Sequence, residues 1–103
     1  MEKVIESSKI IENLPLKVTV SDNELALFRV DGHIYALDDM CTHAEASLSE
    51  GEVYDCKIEC PLHGAEFDIK TGEAVTPPAT QNVKTYDVIE KDGWVYVALQ
   101  DLS

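Results

Sequence analysis

The sequence predicts an all-β chain: a larger antiparallel sandwich or barrel with a small subdomain inserted at roughly residues 40–80. Three observations carry this. Leu16, Val18 and Val20 alternate with Lys17, Thr19 and Ser21, the period of a strand with one buried face. Two Asp-Gly pairs, Asp31-Gly32 and Asp92-Gly93, each stand between apolar runs, the strongest short-range hairpin signal. No internal repeat, low-complexity tract or convincing amphipathic helix interrupts the pattern.

Taken in order, Val4-Ile5-Glu6 and Lys9-Ile10-Ile11 are short apolar clusters, read as an edge strand followed by a turn. Leu14-Pro15 breaks regular structure, since proline donates no backbone N–H. The alternating strand of Leu16 to Val20 leads to a turn expected at Asp22-Asn23. Asp31-Gly32 then joins Leu25-Ala26-Leu27-Phe28-Arg29-Val30 to His33-Ile34-Tyr35-Ala36-Leu37 through a two-residue type I′ turn. His33 lies outside any ligand spacing and is expected to be an exposed hairpin residue.

Between residues 38 and 82 the strand pattern weakens, and such a stretch in a small domain is usually functional or disordered. Short strands are expected at 52–54, 57–59 and 66–68, a turn at Lys70-Thr71-Gly72-Glu73, and at most one helical turn in 44–49. The last segment reads as a second hairpin. Val83, Thr85, Asp87 and Ile89 lead into Asp92-Gly93, and Trp94-Val95-Tyr96-Val97-Ala98-Leu99 returns. Trp94 and Tyr96 are β-favouring and are expected in the core or on the sheet surface.

The weakly periodic stretch holds the chemistry. Cys41-Thr42-His43 is followed, after residues 44–59, by Cys60-Pro61-Leu62-His63: a C-x-H…C-x-x-H pattern. Thiolate and imidazole suit zinc, iron and iron–sulfur clusters, whereas calcium and magnesium prefer oxygen. A Cys2His2 set holds zinc tetrahedrally, or a [2Fe–2S] cluster in which two His replace two Cys on one iron. Zinc fingers place both Cys before both His. Here each loop brings one Cys and one His, so each loop is able to span two irons.

These loops resemble the ligand loops of Rieske proteins. The likeness extends to Gly64 after the second loop, Gly51 before it, Phe67-Asp68, Thr71-Gly72 and Pro77-Pro78, where the family has a proline loop over the cluster. It covers nearly the whole chain and is greatest for soluble Rieske-type ferredoxins. The resemblance implies one Rieske domain over residues 1–103, with a cluster-binding subdomain at about 40–80. It implies a [2Fe–2S] cofactor, with Cys41 and Cys60 on one iron and His43 and His63 on the other. The implied function is electron transfer, not catalysis. The donor would be a flavin-containing NAD(P)H reductase, and the acceptor a terminal oxygenase such as an aromatic-ring dioxygenase.

The departures from the family are informative. High-potential Rieske proteins tie their loops with a disulfide, but the matching positions are Ala46 and Leu62. Their Ser and Tyr hydroxyl donors to cluster sulfur are matched by Ala65 and Phe67. Fewer such donors predict a potential at the low end of the Rieske range of about −150 to +300 mV.

Composition bounds the rest. With 103 residues the chain is one domain, and 45% hydrophobic residues make it globular. No apolar run approaches the ~20 residues of a membrane helix. Met1-Glu2-Lys3-Val4-Ile5-Glu6 does not read as a signal peptide, so a cytoplasmic protein is expected; a monomer is expected as well. A net charge of −12 argues against nucleic acid and anionic membranes. Acids Glu45, Glu50, Glu52, Asp55, Glu59, Glu66, Asp68 and Glu73 surround the loops, offset only by Lys57 and Lys70. They read as a collar for basic partners or as an ordinary solvated face. The third cysteine, Cys56, is expected to be a small buried strand residue. Two readings stay open: a structural zinc module for protein binding, and a Rieske carrier or subunit for another oxidoreductase such as nitrite reductase.

Overall fold

Strand β3 (Asn23–Val30) is buried on both faces along most of its length, which is why Leu25-Ala26-Leu27-Phe28 runs apolar without alternating. The computed structural model describes residues 1–40, 46–61, 64–76 and 81–99 and places eleven strands there. These are β1 (Glu2–Glu6), β2 (Leu16–Val20), β3, β4 (His33–Asp38), β5 (Glu52–Tyr54), β6 (Lys57–Glu59), β7 (Glu66–Asp68), β8 (Ala74–Thr76), β9 (Thr85–Tyr86), β10 (Val88–Lys91) and β11 (Trp94–Val97). They form three antiparallel sheets, in the orders β1-β11-β10, β2-β3-β4-β9 and β5-β6-β7-β8.

The β2-β3-β4-β9 sheet is the middle layer. Leu25, Leu27 and Ala36 point to one side and pack with Val95 and Val97 of β11. Ala26, Phe28, Val30 and Leu37 point to the other and pack with Ile58, Phe67 and Ile69 of the β5–β8 unit. The period of two sends alternate residues of one hairpin into two cores. The expected all-β architecture is thus found, with the small sheet laid against the outer face of the larger body.

Four two-residue hairpins link neighbouring strands among the described residues. The pairs Val20↔Asn23, Val30↔His33, Tyr54↔Lys57 and Lys91↔Trp94 enclose Ser21-Asp22, Asp31-Gly32, Asp55-Cys56 and Asp92-Gly93. Both residues of every pair have positive φ. The two Asp-Gly turns are as expected. The turn expected at Asp22-Asn23 falls one residue earlier, because Asn23 is already in register with Val20. Asn23 instead donates from its side chain to the Val20 and Ser21 carbonyls, at 3.3 and 3.1 Å.

Other elements correct the expectation. The segment from Val83 to Ile89 is not one strand. β9 pairs with β4 in the middle sheet, and β10 pairs with β11 in another. Val83 is buried in one core, Tyr86 and Val88 pack on the other, and Ile89 is exposed. The chain changes sheets at Asp87, so no single alternation holds across it. Of the helical turn expected in 44–49, residues 44–45 lie outside the described residues, and a 3-10 turn stands at Leu48–Glu50. Trp94 and Tyr96 lie half-buried on the sheet surface, with Lys3 Nζ 4.0 Å from the Trp94 ring centre. His33 is exposed, as expected. No helix among the described residues is long and apolar enough to cross a membrane.

Arg29 pins the N-terminal segment to this frame. Its Nε donates to the Ile10 carbonyl at 2.8 Å, and its Nη2 to the Ser7 carbonyl and hydroxyl at 2.9 and 3.0 Å. The same Nη2 is 3.5 Å from Glu90 Oε2, to which the Ser7 hydroxyl also donates. The Ser7 hydrogen bond, then Arg29, holds the Glu90 carboxyl below its ordinary range. A lowered folded-state pKa stabilises above the unfolded value, and that stability is lost as pH falls through the folded one. Glu90→Gln should therefore flatten the acid limb of stability against pH below the usual carboxylate range, as read by urea midpoints. An unchanged limb would refute the assignment.

Gly72 has φ +76°, and a Cβ there would sit 2.2 Å from the Val83 carbonyl oxygen. Gly32 has φ +81° but open space around it. A left-handed L-residue costs about 1–2 kcal/mol. Gly32→Ala should lower stability by about that amount, and Gly72→Ala by clearly more, in chemical denaturation. Equal losses would mean that the Val83 contact yields freely.

Candidate metal centre

Both Cys/His segments are closed at their ends by backbone pairing. For the first, the β3–β4 ladder runs one step past Asp38: the Asp39 N–H donates to the Glu24 carbonyl at 3.1 Å. The Asp39 carbonyl accepts the Leu48 N–H at 2.6 Å, and Met40 bridges Ser47. Residues 39–40 and 47–48 thus lie side by side and close the span 41–46. For the second, β6 and β7 pair up to Glu59↔Glu66. The Cys60 N–H then donates to the Ala65 carbonyl at 2.7 Å, and the Gly64 N–H to the Cys60 carbonyl at 3.2 Å.

Cys60 is 1% exposed and in no disulfide, and it belongs to a core with Leu48, Ile58, Ala65 and Phe67. A thiol in a dry apolar setting fits an iron–sulfur ligand, since the surrounding shell controls solvent access and dielectric. Ala65 and Phe67 are fully buried and carry no hydroxyl to donate to sulfur. Of the four expected ligands the structure describes Cys60; Cys41, His43 and His63 lie outside the described residues, as do Glu45, Pro77 and Pro78. Among the described residues no three His, Cys, Asp or Glu side chains gather as a metal site, so Cys60 has no alternative set there.

Cys56 departs from the expectation of a strand residue. It occupies the second position of the Asp55-Cys56 turn at φ +62°, half-buried against the same core. Burial pushes its thiol pKa up, away from the thiolate a reactive or ligating cysteine needs.

The β5–β8 unit turns its acids outward. Glu52 is opposite Glu59, and Glu59 is opposite Glu66, so three carboxylates stand in one row across neighbouring strands. Like charges directly opposite are destabilising. Glu50, Glu52, Asp55 and Glu73 are exposed, and Glu59, Glu66 and Asp68 are half-buried. Lys57 Nζ lies 3.5 Å from Asp55, at the far end of the sheet from Cys60. Sequence reasoning missed one residue here: Asp39, 1% exposed, whose carboxylate accepts the Ser49 N–H at 2.9 Å. The available signal was an acid ending an apolar strand two residues before Cys41.

Comparison with known proteins bears on this arrangement. Residues 1–87 match the Rieske [2Fe–2S] domain family. The chain is 49% identical over 86 residues to the ferredoxin component of the naphthalene 1,2-dioxygenase system of Pseudomonas putida, covering 84% of this chain and 83% of that protein. It superposes on the ferredoxin of Sphingomonas yanoikuyae B1 with a TM-score of 0.91 at 35% identity, covering 95% and 97% of the two chains. It also superposes on a chain of the complex of reduced oxygenase and oxidized ferredoxin in carbazole 1,9a-dioxygenase, with a TM-score of 0.87 at 40% identity and coverage of 93% and 99%. The sheet order, the buried Cys60 between paired strands and this extent of match lead to one conclusion: the chain belongs to the Rieske [2Fe–2S] domain family, and its cofactor is a [2Fe–2S] cluster.

Proposed function

We propose that the protein is the ferredoxin of a ring-hydroxylating dioxygenase system, an electron carrier without a catalytic site of its own. It takes electrons singly from a flavin-containing NAD(P)H reductase and passes them to a terminal oxygenase. The observation that carries this reading is the near full-length likeness to a chain from an oxygenase–ferredoxin complex, with Cys60 buried in a closed segment. We read residues 1–103 as one domain, with the cluster-binding subdomain at about 40–80, working as a cytoplasmic monomer.

Cys41 and Cys60 would hold one iron and His43 and His63 the other, the donor set of a Rieske centre. When bound, such a cluster accepts and returns one electron at a time. The chain's part is to hold and shield it. Ile58, Ala65 and Phe67 exclude water on the inner side of Cys60. The paired backbone at 39–40 with 47–48, and at Cys60 with Ala65, fixes the ends of both ligand segments. With all four of these side chains engaged, the centre would offer no protein-held position for substrate, which suits a carrier.

Protein purified without air should contain about two irons and two acid-labile sulfides per chain. Its midpoint should lie at the low end of the Rieske range of about −150 to +300 mV, because Ala65 and Phe67 offer sulfur no hydroxyl. Zinc without sulfide, together with failed reconstitution, would overturn the carrier reading. A midpoint well above zero would overturn the argument from missing donors.

The acidic row beside Cys60 supports docking to a basic partner surface, since complementary charge speeds encounter. Glu52 is exposed and on that row. Glu52→Lys should slow electron delivery to the oxygenase and weaken the salt dependence of the rate. Stopped-flow rates unchanged at low salt would remove this face from the docking surface.

A further inference from the structure

We propose that Asp39 is a positioning residue for the metal centre: its buried carboxylate, by holding the Ser49 N–H, fixes the closure of the first ligand segment. The proposal rests on reading Cys41 and His43 as ligands, and it adds a residue that is not itself one.

Acids are almost never fully buried unless paired, yet Asp39 is 1% exposed. Among the described residues its four polar contacts run to three different segments. The backbone N–H reaches Glu24 at the start of β3, at 3.1 Å. The carbonyl takes the Leu48 N–H at 2.6 Å, and Oδ1 takes the Ser49 N–H at 2.9 Å. Oδ2 lies 3.8 Å from Lys17 Nζ on β2, a side chain 43% exposed that also bonds Glu24. Asp39 is thus the point where the middle sheet hands the chain to the first ligand segment and also receives its return.

The two segments are built differently. The second is closed by the β6–β7 ladder itself, which continues to Cys60 and Ala65 by backbone bonds. The first returns through the Leu48–Glu50 turn, three residues long and without a side-chain cap of its own. Leu48 anchors that turn in the core. The Ser49 N–H has its acceptor in the Asp39 carboxylate. Without it this half-buried donor turns to solvent, and the return limb loses the bond that ties it to the end of the middle sheet. Residues that orient metal ligands from behind are costly to change for this reason.

The test uses hydrogen exchange by mass spectrometry on the loaded protein, together with the rate of cluster loss to a chelator. In the wild type the Ser49 amide should be protected. Asp39→Ala should lose that protection and release the cluster roughly tenfold faster or more. Asp39→Asn keeps an oxygen acceptor and should restore both. Arg29→Ala, which loosens the far side of the middle sheet, serves as the control for general destabilisation and should leave cluster loss near the wild-type rate. Asp39→Ala holding its cluster as long as Arg29→Ala would overturn the proposal, as would an Asn variant no better than Ala. Should Asp39→Ala fail to fold, the wild-type Ser49 amide decides: free exchange there refutes the anchor, and protection that Asp39→Asn retains upholds it. A wild-type chain that never takes up iron and sulfide would instead refute the ligand reading, and the exchange data would still report on the anchor.

Discussion

The two-sided burial of the β3–β4 hairpin is the constraint on which the rest depends. A strand sends alternate side chains to opposite faces, so one hairpin with apolar residues at every position supplies the floor of two cores. Leu25, Leu27 and Ala36 face β11, and Ala26, Phe28 and Leu37 face Ile58 and Phe67. The side that carries Cys60 is thereby mounted on the stability of the whole body. A register slip of one residue in this hairpin would exchange the two sets of side chains and spoil both cores together. The Asp31-Gly32 turn guards against that slip, reinforced by the Glu12 carboxylate, which accepts the Asp31 and Gly32 N–H groups at 2.6 and 3.2 Å.

Much of this was legible in the sequence because its signals are local. The Asp-Gly turns, the alternation of Leu16, Val18 and Val20, and the short strands at 52–54, 57–59 and 66–68 are set by residues close together in the chain. What escaped depends on distant partners. β8 is held partly by Asn82, whose side-chain oxygen accepts the Ala74 N–H at 3.0 Å, and no local pattern announces such a bond. The crossing at Asp87 is invisible because Val83 and Val88 answer to different cores. The turns at Ser21-Asp22 and Asp55-Cys56 lack glycine, so composition alone does not mark them. At the site, spacing singled out Cys60 as a candidate ligand, whereas Asp39 is recognisable only once its burial is known.

The small sheet shows two demands meeting on three short strands. Its inner residues, Val53, Ile58 and Phe67, stand in register and pack inward. Its outer residues include the Glu52, Glu59 and Glu66 row, which sets acids opposite one another. Burial of the inner face gives this charged row a stable support. The same division keeps Cys60 dry while its neighbour Glu59 reaches the surface.

The irregular pairing in β1, between Lys3 and Ile5, bears on how the chain behaves in a crowded cell. β1 is an outer strand of its sheet, with no strand paired on its other side among the described residues. A straight apolar strand in that place would be a template for another chain to continue the ladder. The register shift breaks the regular ladder there, and Lys3 sets a charge beside it, held over Trp94. With a net charge of −12 on every copy, approach along this edge meets both misfit and repulsion. An electron carrier built this way resists extending its sheet into a second copy.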